Sequence, residues 1–421
     1  MSTAPFSAAD EPPPPCSGGA AEGFGNPGQT RRKILSLWDR LRYTDRTRFL
    51  PQYRKWKKFS SGKGGTGPGA ASGLFSTEET VRFLSSLERA AERSLFPHAE
   101  KLKCEFPEEL PVSAKASEIG EALKTNSVVI VCGATGSGKT TQLPKVALKC
   151  GYGRRGRIGC TQPRRIAASA LARRLSGECA CECGKEIGYQ VRFDDRTCDS
   201  TVVKFMTDGI LLAEIRDDPA LRQYDCIILD EVHERTLNID FLLGYLKLLL
   251  PRRKELRVII SSATLDAERL SDFFGGSPVI EVEGRLYPVE DCYLEPEEEE
   301  DLPESVSRAA AFLEELDPRG DILVFLPGER EIRSVAELLN GRGLSQTEIL
   351  PLYGRLSSGE QERIFQRGNK RRIILSTNVA ETSLTIPGIR FVIDSGLVRL
   401  SRYNPGTRIQ ELRVEFVSRA S

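Results

Sequence analysis

The stretch SVVIVCGATGSGKTT, residues 127–141, joins an apolar run to a glycine-rich turn, and it decides the fold class. Residues 127–132 predict a buried strand, and the residues after Lys139 predict a helix. Between them, residues 133–140 match the pattern GxxxxGK[ST] in the context that it requires, with a strand before it and a helix after it. We therefore expect an α/β protein with a phosphate-binding loop at this position.

The residue types of this loop suit a triphosphate and a magnesium ion. Glycine allows backbone N–H groups to turn inward and surround phosphate oxygens at the N-terminus of a helix. We expect Lys139 to reach the β- and γ-phosphates and the Thr140 hydroxyl to bind Mg²⁺. The predicted nucleotide-binding residues here are Gly133, Ala134, Thr135, Gly136, Ser137, Gly138, Lys139, Thr140 and Thr141. The alternative is an ordinary glycine-rich turn.

A second apolar run, DCIILDE at residues 225–231, supplies the carboxylates that a bound triphosphate requires. We expect Asp230 to bind Mg²⁺, usually through water. Glu231 follows it, where it can orient and deprotonate an attacking water. One of the two histidines of the chain, His233, stands beside this pair, which favours a functional role for it. The alternative is that the two acids only cap a helix.

Short continuous apolar runs recur from residue 110 to the end of the chain. They occupy residues 127–132, 158–161, 226–230, 258–262, 322–326, 373–377 and 391–394. Such runs indicate parallel strands in a sheet that is covered on both faces. The acidic segment 295–301 predicts a solvated linker, with an acidic docking segment as the alternative. We therefore expect one α/β domain at 110–288, a linker at 289–303 and a second α/β domain at 304–421.

The N-terminal region differs in composition. Residues 1–30 are rich in Pro, Gly, Ala and Ser, and we expect them to be disordered within an arm that extends to residue 75. Residues 31–58 interleave basic and aromatic side chains, which can hold phosphates and stack on bases of RNA. A helix that docks on the main body, or a solvated charge run, is the alternative. We expect a helical segment at 76–109.

Charge and cysteine usage limit the remaining classes. Lys and Arg number 60 and Asp and Glu 59, so any nucleic-acid surface must be local. Eleven cysteines suit a reducing compartment better than a disulfide framework. Cys179, Cys181 and Cys183 lack the usual metal-ligand spacing, so we expect free thiols, with metal binding as the alternative. No apolar run approaches the ~18 residues that span a bilayer, and we expect a cytoplasmic protein.

The acidic pair begins Asp230-Glu231-Val232-His233, which differs from D-E-A-H at its third position. Further matching segments are LPV at 110–112, TQPRR at 161–165, GYQVRF at 188–193, TDG at 207–209, ERTLNID at 234–240, SAT at 262–264, LYG at 352–354 and TNVAETS at 377–383. Over residues 106–421 the chain resembles the DEAH-box branch of superfamily-two helicases, especially bacterial HrpA-type RNA helicases. The resemblance implies two tandem RecA-like parallel-sheet domains, the second C-terminally incomplete, after a partly disordered, partly helical N-terminal extension.

The resemblance also implies how RNA is bound. The residues implied to contact RNA are Arg164, Arg165, Arg192 and Thr207 in the first domain, and Gly328, Thr377 and Asn378 in the second. Ser262 and Thr264 are implied to couple the nucleotide site to RNA binding. The implied partner is single-stranded RNA or an RNA duplex with an overhang. Messenger RNA and ribosome-associated RNA are the candidate physiological forms.

Further nucleotide contacts follow from the same resemblance. Ser383 is implied to sense the γ-phosphate, Asp394 to lie near the ribose and Arg174 to lie over one face of the base. Leu397 stands where many family members have a Phe for the other face. The cofactors implied are therefore ATP, with weak selection against other nucleoside triphosphates, and Mg²⁺.

Two departures from the family pattern bear on activity. Val232 replaces an alanine, and its added methyl groups can cost ~1–3 kcal/mol through overpacking. The chain ends at Ser421, where the family continues with a Q-R-x-G-R-x-G-R segment whose arginines contribute about 10³–10⁵ in turnover. We expect the motor part of an ATP-dependent RNA helicase, with catalytic Glu231, His233 and Lys139, that turns over poorly without a missing C-terminal half.

The sequence leaves two other functions as alternatives to the motor. The alternative from a different class is an ATP- and RNA-binding module that hydrolyses inefficiently unless a C-terminal part completes it. A transporter-type ATPase is suggested by Leu175-Ser-Gly-Glu178. It is disfavoured because that signature should lie shortly before the Mg²⁺-binding strand.

Overall fold

The computed structural model describes residues 27–60, 77–92, 96–263, 267–284, 288–295, 297–342, 346–366, 368–381, 386–404, 406 and 409–417. They form two units, a helical unit near the N-terminus and an α/β unit that contains most of the chain. The predictions for Thr264 and Ser383 lie outside the described residues. Among the described residues, no helix is long and apolar enough to cross a membrane.

The N-terminal unit consists of three helices, α1 (Pro27–Arg40), α2 (Tyr43–Ser60) and α3 (Thr77–Glu92). α1 begins inside the stretch 1–30 that we expected to be disordered, so that expectation was wrong for its last residues. Proline favours the first position of a helix because its φ is preset and its missing N–H is not needed there.

Aromatic side chains of the N-terminal unit pack against one another. Trp56 and Phe49 are buried together with Phe83 in its apolar core. Trp38 stacks on Tyr53 with ring centroids 3.9 Å apart. Trp56 and Phe49 are therefore not available for stacking on bases, and RNA contact by this unit stays a prediction for its basic side chains.

The first sheet of the α/β unit has eight strands: β1 (Val128–Gly133), β2 (Arg157–Gln162), β3 (Ile187–Val191), β4 (Asp194–Arg196), β5 (Val203–Thr207), β6 (Tyr224–Leu229), β7 (Arg257–Ser262) and β8 (Val279–Val282). Their order is β4-β3-β5-β2-β6-β7-β1-β8, and β3–β4 is the antiparallel pair. The helices are α4 (Phe96–Lys101), α5 (Pro111–Ala114), α6 (Ala116–Thr125), α7 (Lys139–Lys149), α8 (Arg165–Glu178), α9 (Asp208–Asp217), α10 (Leu237–Leu249) and α11 (Ala267–Phe273).

Strand β1 shows why the apolar runs are continuous. Val129 and Val131 enter the core on one face of the sheet, and Val128 and Ile130 enter the core on the other face. A strand buried on both faces requires apolar residues at successive positions. The expected parallel sheet between two layers is confirmed.

The second sheet has four parallel strands: β9 (Asp321–Phe325), β10 (Thr347–Leu352), β11 (Arg371–Ser376) and β12 (Ile389–Asp394), in the order β10-β11-β9-β12. Its helices are α12 (Leu302–Leu316), α13 (Glu329–Gly341) and α14 (Ser358–Arg363). An antiparallel hairpin follows, formed by β13 (Leu397–Asn404) and β14 (Ile409–Phe416). A capping box between Asp301 and Glu304 starts α12, so this helix begins within the segment expected to be a linker.

A buried ion pair holds the second sheet. The Arg372 side chain is 1% exposed and lies 2.6 Å from Asp321 Oδ2. It also donates to the carbonyl oxygens of Ile364 at 2.6 Å and Pro387 at 2.5 Å. One side chain thus connects β11 and β9 to the segments that precede β11 and β12.

Candidate functional site

The predicted residues of the first domain lie at the carboxyl edge of its sheet, in two adjoining groups. Strands β1, β6 and β7 lead into the predicted nucleotide and coupling residues, which are the loop 133–141, Asp230, Glu231 and Ser262. Strands β2, β3 and β5 lead into the predicted RNA-binding residues, which are Arg164, Arg165, Arg192 and Thr207. Since β2 pairs with β6, the two groups meet between these strands.

The loop depends on glycine at particular positions. Gly136 and Gly138 have φ of 84° and 88°, a left-handed conformation that favours glycine. A Cβ on Gly133 would lie 2.5 Å from the carbonyl oxygen of Val282 in β8. The backbone therefore makes a tight turn directly before Lys139, where α7 begins.

Lys139 is held inside this loop. Its Nζ donates to the carbonyl oxygens of Gly133 at 2.5 Å and Ala134 at 2.9 Å, and to Ser137 Oγ at 3.2 Å. Burial lowers the pKa of Lys139, while the charges of Asp230 and Glu231 oppose this shift. To reach a phosphate, the ammonium has to exchange these oxygens for phosphate oxygens.

The remaining loop residues differ in accessibility. Thr135 and Gly136 are exposed at the tip, and Thr140 is half-buried. Thr141 is buried, and its hydroxyl donates to the Gly138 carbonyl oxygen at 3.4 Å and accepts from Gln142 Nε2 at 3.0 Å. Its hydroxyl is thus engaged within the protein, and its contact with nucleotide stays a prediction.

The acidic pair lies at the end of β6, with Asp230 buried and Glu231 half-buried. Asp230 Oδ2 accepts a hydrogen bond from Gln162 Nε2 at 2.7 Å, and Oδ1 accepts from the Glu231 backbone N–H at 3.0 Å. Glu231 has a left-handed φ of 53°, which is strained for this residue type. Burial, followed by the negative charge of Asp230, raises the pKa of Glu231 to about 8.

These carboxyl groups fit a magnesium ion. Proteins bind Mg²⁺ through one or two carboxylates together with substrate phosphates and water. Burial, and after it the negative charge of Asp230, raise the pKa of Glu231, and a nearby divalent cation would offset the effect of that charge. Asp230 and the Thr140 hydroxyl are the residues that would hold it.

His233 connects the acidic pair to the end of β7. Its Nδ1 accepts a hydrogen bond from the Ala263 backbone N–H at 3.3 Å and lies 3.4 Å from Glu231 Oε2. Burial lowers the pKa of His233, which favours the neutral imidazole that this acceptor role requires. Ala263 directly follows Ser262, which is buried at the end of β7.

Arg164 lies where the two sheets of the α/β unit meet. Its guanidinium donates to the carbonyl oxygen of Asn378, and another of its nitrogens lies 3.7 Å from Glu234 Oε1. Arg165 is exposed at the first position of α8, and Thr207 is the N-cap residue of α9, without a capping hydrogen bond from its side chain. The structure thus joins two predicted RNA-binding residues, Arg164 and Asn378, across the two domains.

The turn between β3 and β4 presents an aromatic ring. Phe193 is 89% exposed and has a left-handed φ of 72°. The Arg192 guanidinium lies over this ring, 4.8 Å from its centroid. The turn therefore offers a cation and a flat apolar face side by side.

In the second domain the predicted residues also follow strand ends. A Cβ on Gly328 would lie 2.9 Å from Glu331 Oε2, the movable end of a flexible side chain, so this position does not require glycine. Thr377 donates its N–H to the Leu352 carbonyl oxygen at 3.2 Å and precedes Asn378. Asp394 is exposed and accepts from the Gly396 N–H at 2.8 Å.

Arg174 lies on α8, next to the helix that follows the loop. Its Nε donates to Glu178 Oε1 at 3.1 Å. Glu178 also accepts from Gln142 Nε2 at 3.0 Å and from Lys145 Nζ at 2.6 Å, both on α7. Contact between Arg174 and a base stays a prediction.

Three residues of the site were not predicted from the sequence. Gln162 orients Asp230, Glu234 approaches Arg164, and Phe193 is the exposed ring of the turn. Each lies in a segment on which the family resemblance was based, and this resemblance was the sequence signal that could have identified them. Their roles depend on distances between strands that are remote in sequence.

This fold and site define a class: a P-loop nucleoside-triphosphate-binding protein with two tandem parallel-sheet domains. A model described as DEAD/DEAH box helicase matches residues 114–273, and one described as helicase conserved C-terminal domain matches residues 306–413. The chain belongs to the DEAD/DEAH-box helicase family, with the HrpA-type proteins among its relatives.

The curated relatives agree with this assignment. The chain is 51% identical over 397 residues to the ATP-dependent RNA helicase HrpA of Escherichia coli (strain K12). The aligned region covers 93% of this chain and 29% of that protein. It is 54% identical over 319 residues to an HrpA homolog of Haemophilus influenzae, covering 75% of this chain and 24% of that protein. The chain thus spans less than a third of the length of these relatives.

A solved structure shows the same architecture. The DEAH/RHA helicase HrpB of Escherichia coli matches with a TM-score of 0.68 and 37% identity, over 74% of this chain and 40% of that chain. The expected pair of RecA-like domains is confirmed.

Proposed function

We propose that this chain is the motor core of an ATP-dependent RNA helicase, which couples ATP hydrolysis to movement along RNA. The observation that carries the proposal is the shared carboxyl edge, where the nucleotide group on β1, β6 and β7 adjoins the RNA group on β2, β3 and β5. One sheet edge can therefore contact both ligands.

The chemistry follows from the residues of the nucleotide group. Loop N–H groups and Lys139 hold the triphosphate, and Asp230 and Thr140 hold Mg²⁺, which supplies charge stabilisation to the phosphates. Glu231 takes the proton of the attacking water. Burial and the negative charge of Asp230 raise its pKa, and a bound Mg²⁺ would offset that charge, so that Glu231 would be a carboxylate able to accept the proton.

Two contacts are suited to couple the nucleotide site to RNA. His233 bonds to Ala263, next to the coupling residue Ser262. Arg164 bonds to Asn378 in the other domain and approaches Glu234, close to the acidic pair. A change at the γ-phosphate that moves the acidic segment would thus reach residues on both domains.

RNA is held through its phosphates and through stacking. Arg164, Arg165 and Arg192 supply positive charge, so binding should weaken with salt and depend little on sequence. Single-stranded RNA, or a duplex with an overhang, presents phosphates and bases in the form that these residues can contact.

Phosphate release with and without single-stranded RNA tests the proposal. We expect RNA to stimulate hydrolysis by the wild-type chain and Glu231→Gln to abolish hydrolysis while ATP binding persists. ATP and RNA binding without stimulated hydrolysis would instead support the ATP- and RNA-binding module. Absence of ATP binding would reject both functions.

A further inference from the structure

Four cysteines gather near the end of α8, outside the nucleotide site. Cys179 is the C-terminal cap of α8, Cys181 and Cys183 follow it, and Cys104 lies in the segment 102–110. All four belong to or pack against the same apolar core. Within the part of the chain that the structure describes, no group of His, Cys, Asp or Glu is arranged to hold a metal ion.

Cys104 and Cys179 are neighbours at the same apolar core, and each thiol shifts the pKa of the other. Their backbones meet at the same place, since the Lys103 N–H donates to the Cys179 carbonyl oxygen at 3.4 Å. Neighbouring thiols on backbones that are hydrogen-bonded beside them meet the proximity that a disulfide requires, and closing the bond draws the two segments together.

The surroundings of the two thiols distinguish their roles. The hydrogen bond from Cys179, and the positive charges of Lys145 and Lys149, lower the pKa of Cys104. The contact with Cys104 and burial raise the pKa of Cys179. The thiolate is the attacking form, so half-buried Cys104 is the nucleophile and fully buried Cys179 is the resolving thiol.

We propose that Cys104 and Cys179 form an oxidation-sensitive dithiol that closes into a disulfide with hydrogen peroxide. The Cys104 sulfur attacks the O–O bond and becomes a sulfenic acid, and one water leaves. The Cys179 sulfur then attacks the sulfenic sulfur, the S–S bond forms, and a second water leaves. The two thiols lose two electrons, and the peroxide is reduced to two waters.

We expect the disulfide to change ATP binding by the first domain. This consequence rests on the proposed function. Glu178, next to Cys179, bonds to Arg174 at 3.1 Å and Lys145 at 2.6 Å. Lys145 also donates to the Glu105 carbonyl oxygen at 3.0 Å, next to Cys104. An S–S bond of about 2.05 Å draws these backbones together and displaces Glu178 relative to α7. Oxidation therefore weakens ATP binding.

Peptide mapping tests the disulfide itself. The full chain is treated with hydrogen peroxide, free thiols are blocked with N-ethylmaleimide, and the linked peptides are identified by mass spectrometry. We expect a Cys104–Cys179 link that dithiothreitol reverses. Cys104→Ser should lose it, and Cys198→Ser, at an exposed cysteine, should keep it. Alkylation of both thiols, or a Cys181–Cys183 link in its place, overturns the proposal.

Titration with a fluorescent ATP analogue tests the consequence. We expect oxidation to lower the affinity of the wild-type chain threefold or more and to leave Cys104→Ser unchanged. Equal affinities of the oxidised and reduced wild-type chain overturn the effect on nucleotide. A reduced chain that does not bind ATP overturns the proposed function, while the peptide map still decides the disulfide.

Discussion

Gln162 donates a hydrogen bond from Nε2 to Asp230 Oδ2 over 2.7 Å, at the adjoining ends of β2 and β6. Both side chains are buried, at 1% and 2% exposure, so the bond fixes the carboxylate that we propose for Mg²⁺. Because β2 also leads to Arg164 and Arg165, one hydrogen bond joins the nucleotide group to the RNA group.

Gln162→Ala should lower the affinity for Mg²⁺, so that a higher Mg²⁺ concentration is needed for half-maximal ATP hydrolysis. Loss of a residue that orients a metal ligand typically costs 10- to 100-fold in metal affinity or activity. A Mg²⁺ titration of phosphate release measures the change. Gln361→Ala is the control, since Gln361 donates to the Leu356 carbonyl oxygen in the second domain. Identical Mg²⁺ curves for both variants would show that the hydrogen bond does not position Asp230.

Arg164→Ala should reduce RNA-stimulated hydrolysis about tenfold or more while ATP binding is retained. Hydrogen bonds of charged groups contribute about 1.5–3 kcal/mol, and Arg164 contacts both Asn378 and the Glu234 side chain. The comparison is made with Arg216→Ala, because Arg216 lies on α9 with a side chain that is 81% exposed. Equal stimulation in the two variants would contradict a coupling role.

Phe193→Ala should weaken binding of single-stranded RNA. Stacking of a base on an aromatic ring contributes about 1–3 kcal/mol, so affinity should fall roughly 5- to 100-fold. Fluorescence anisotropy with a labelled oligonucleotide measures the affinity. Tyr293→Ala is a matched control, since Tyr293 is 93% exposed in the segment between the two sheets. If both variants bind like the wild type, the turn is not a stacking platform.

Asp321→Asn should destabilise the second domain by about 3–5 kcal/mol, because Arg372 would keep a buried charge without its partner. Hydrogen exchange of β11 and β9 in urea reports the change for this domain. Glu415→Gln removes a partner of the more exposed Arg402 and should leave exchange unchanged. Similar exchange in the two variants would show that the buried pair does not hold the sheet.

Local pattern was sufficient to predict the sheets and the loop. The run 127–132 became β1, and the run 225–231 ended in the acidic pair, because strands buried on both faces leave a plain signature. The left-handed φ of Gly136 and Gly138 likewise follows from the loop pattern. These features depend on residues that are close in sequence.

Contacts between remote residues could not be predicted in the same way. The Asp225 carboxylate accepts N–H groups from Gly153, Arg155 and Gly156 at 3.0–3.4 Å, a pairing that depends on the register of β6 against β2. The burial of Trp56 in one core with residues of α3 could not be predicted either. Alternating basic and aromatic residues occur both in RNA-binding segments and in amphipathic helices, so the pattern does not distinguish the two.

Binding of ATP with Mg²⁺ to Lys139→Met, measured by calorimetry beside wild type and Lys247→Met, tests the central claim most directly. Lys247 lies over the Phe273 ring and away from the loop, so its variant should bind like the wild type. Loss of the charged hydrogen bonds from Lys139 should lower affinity about 10- to 100-fold. Unchanged affinity in Lys139→Met would contradict a triphosphate site in this loop, and the motor proposal with it.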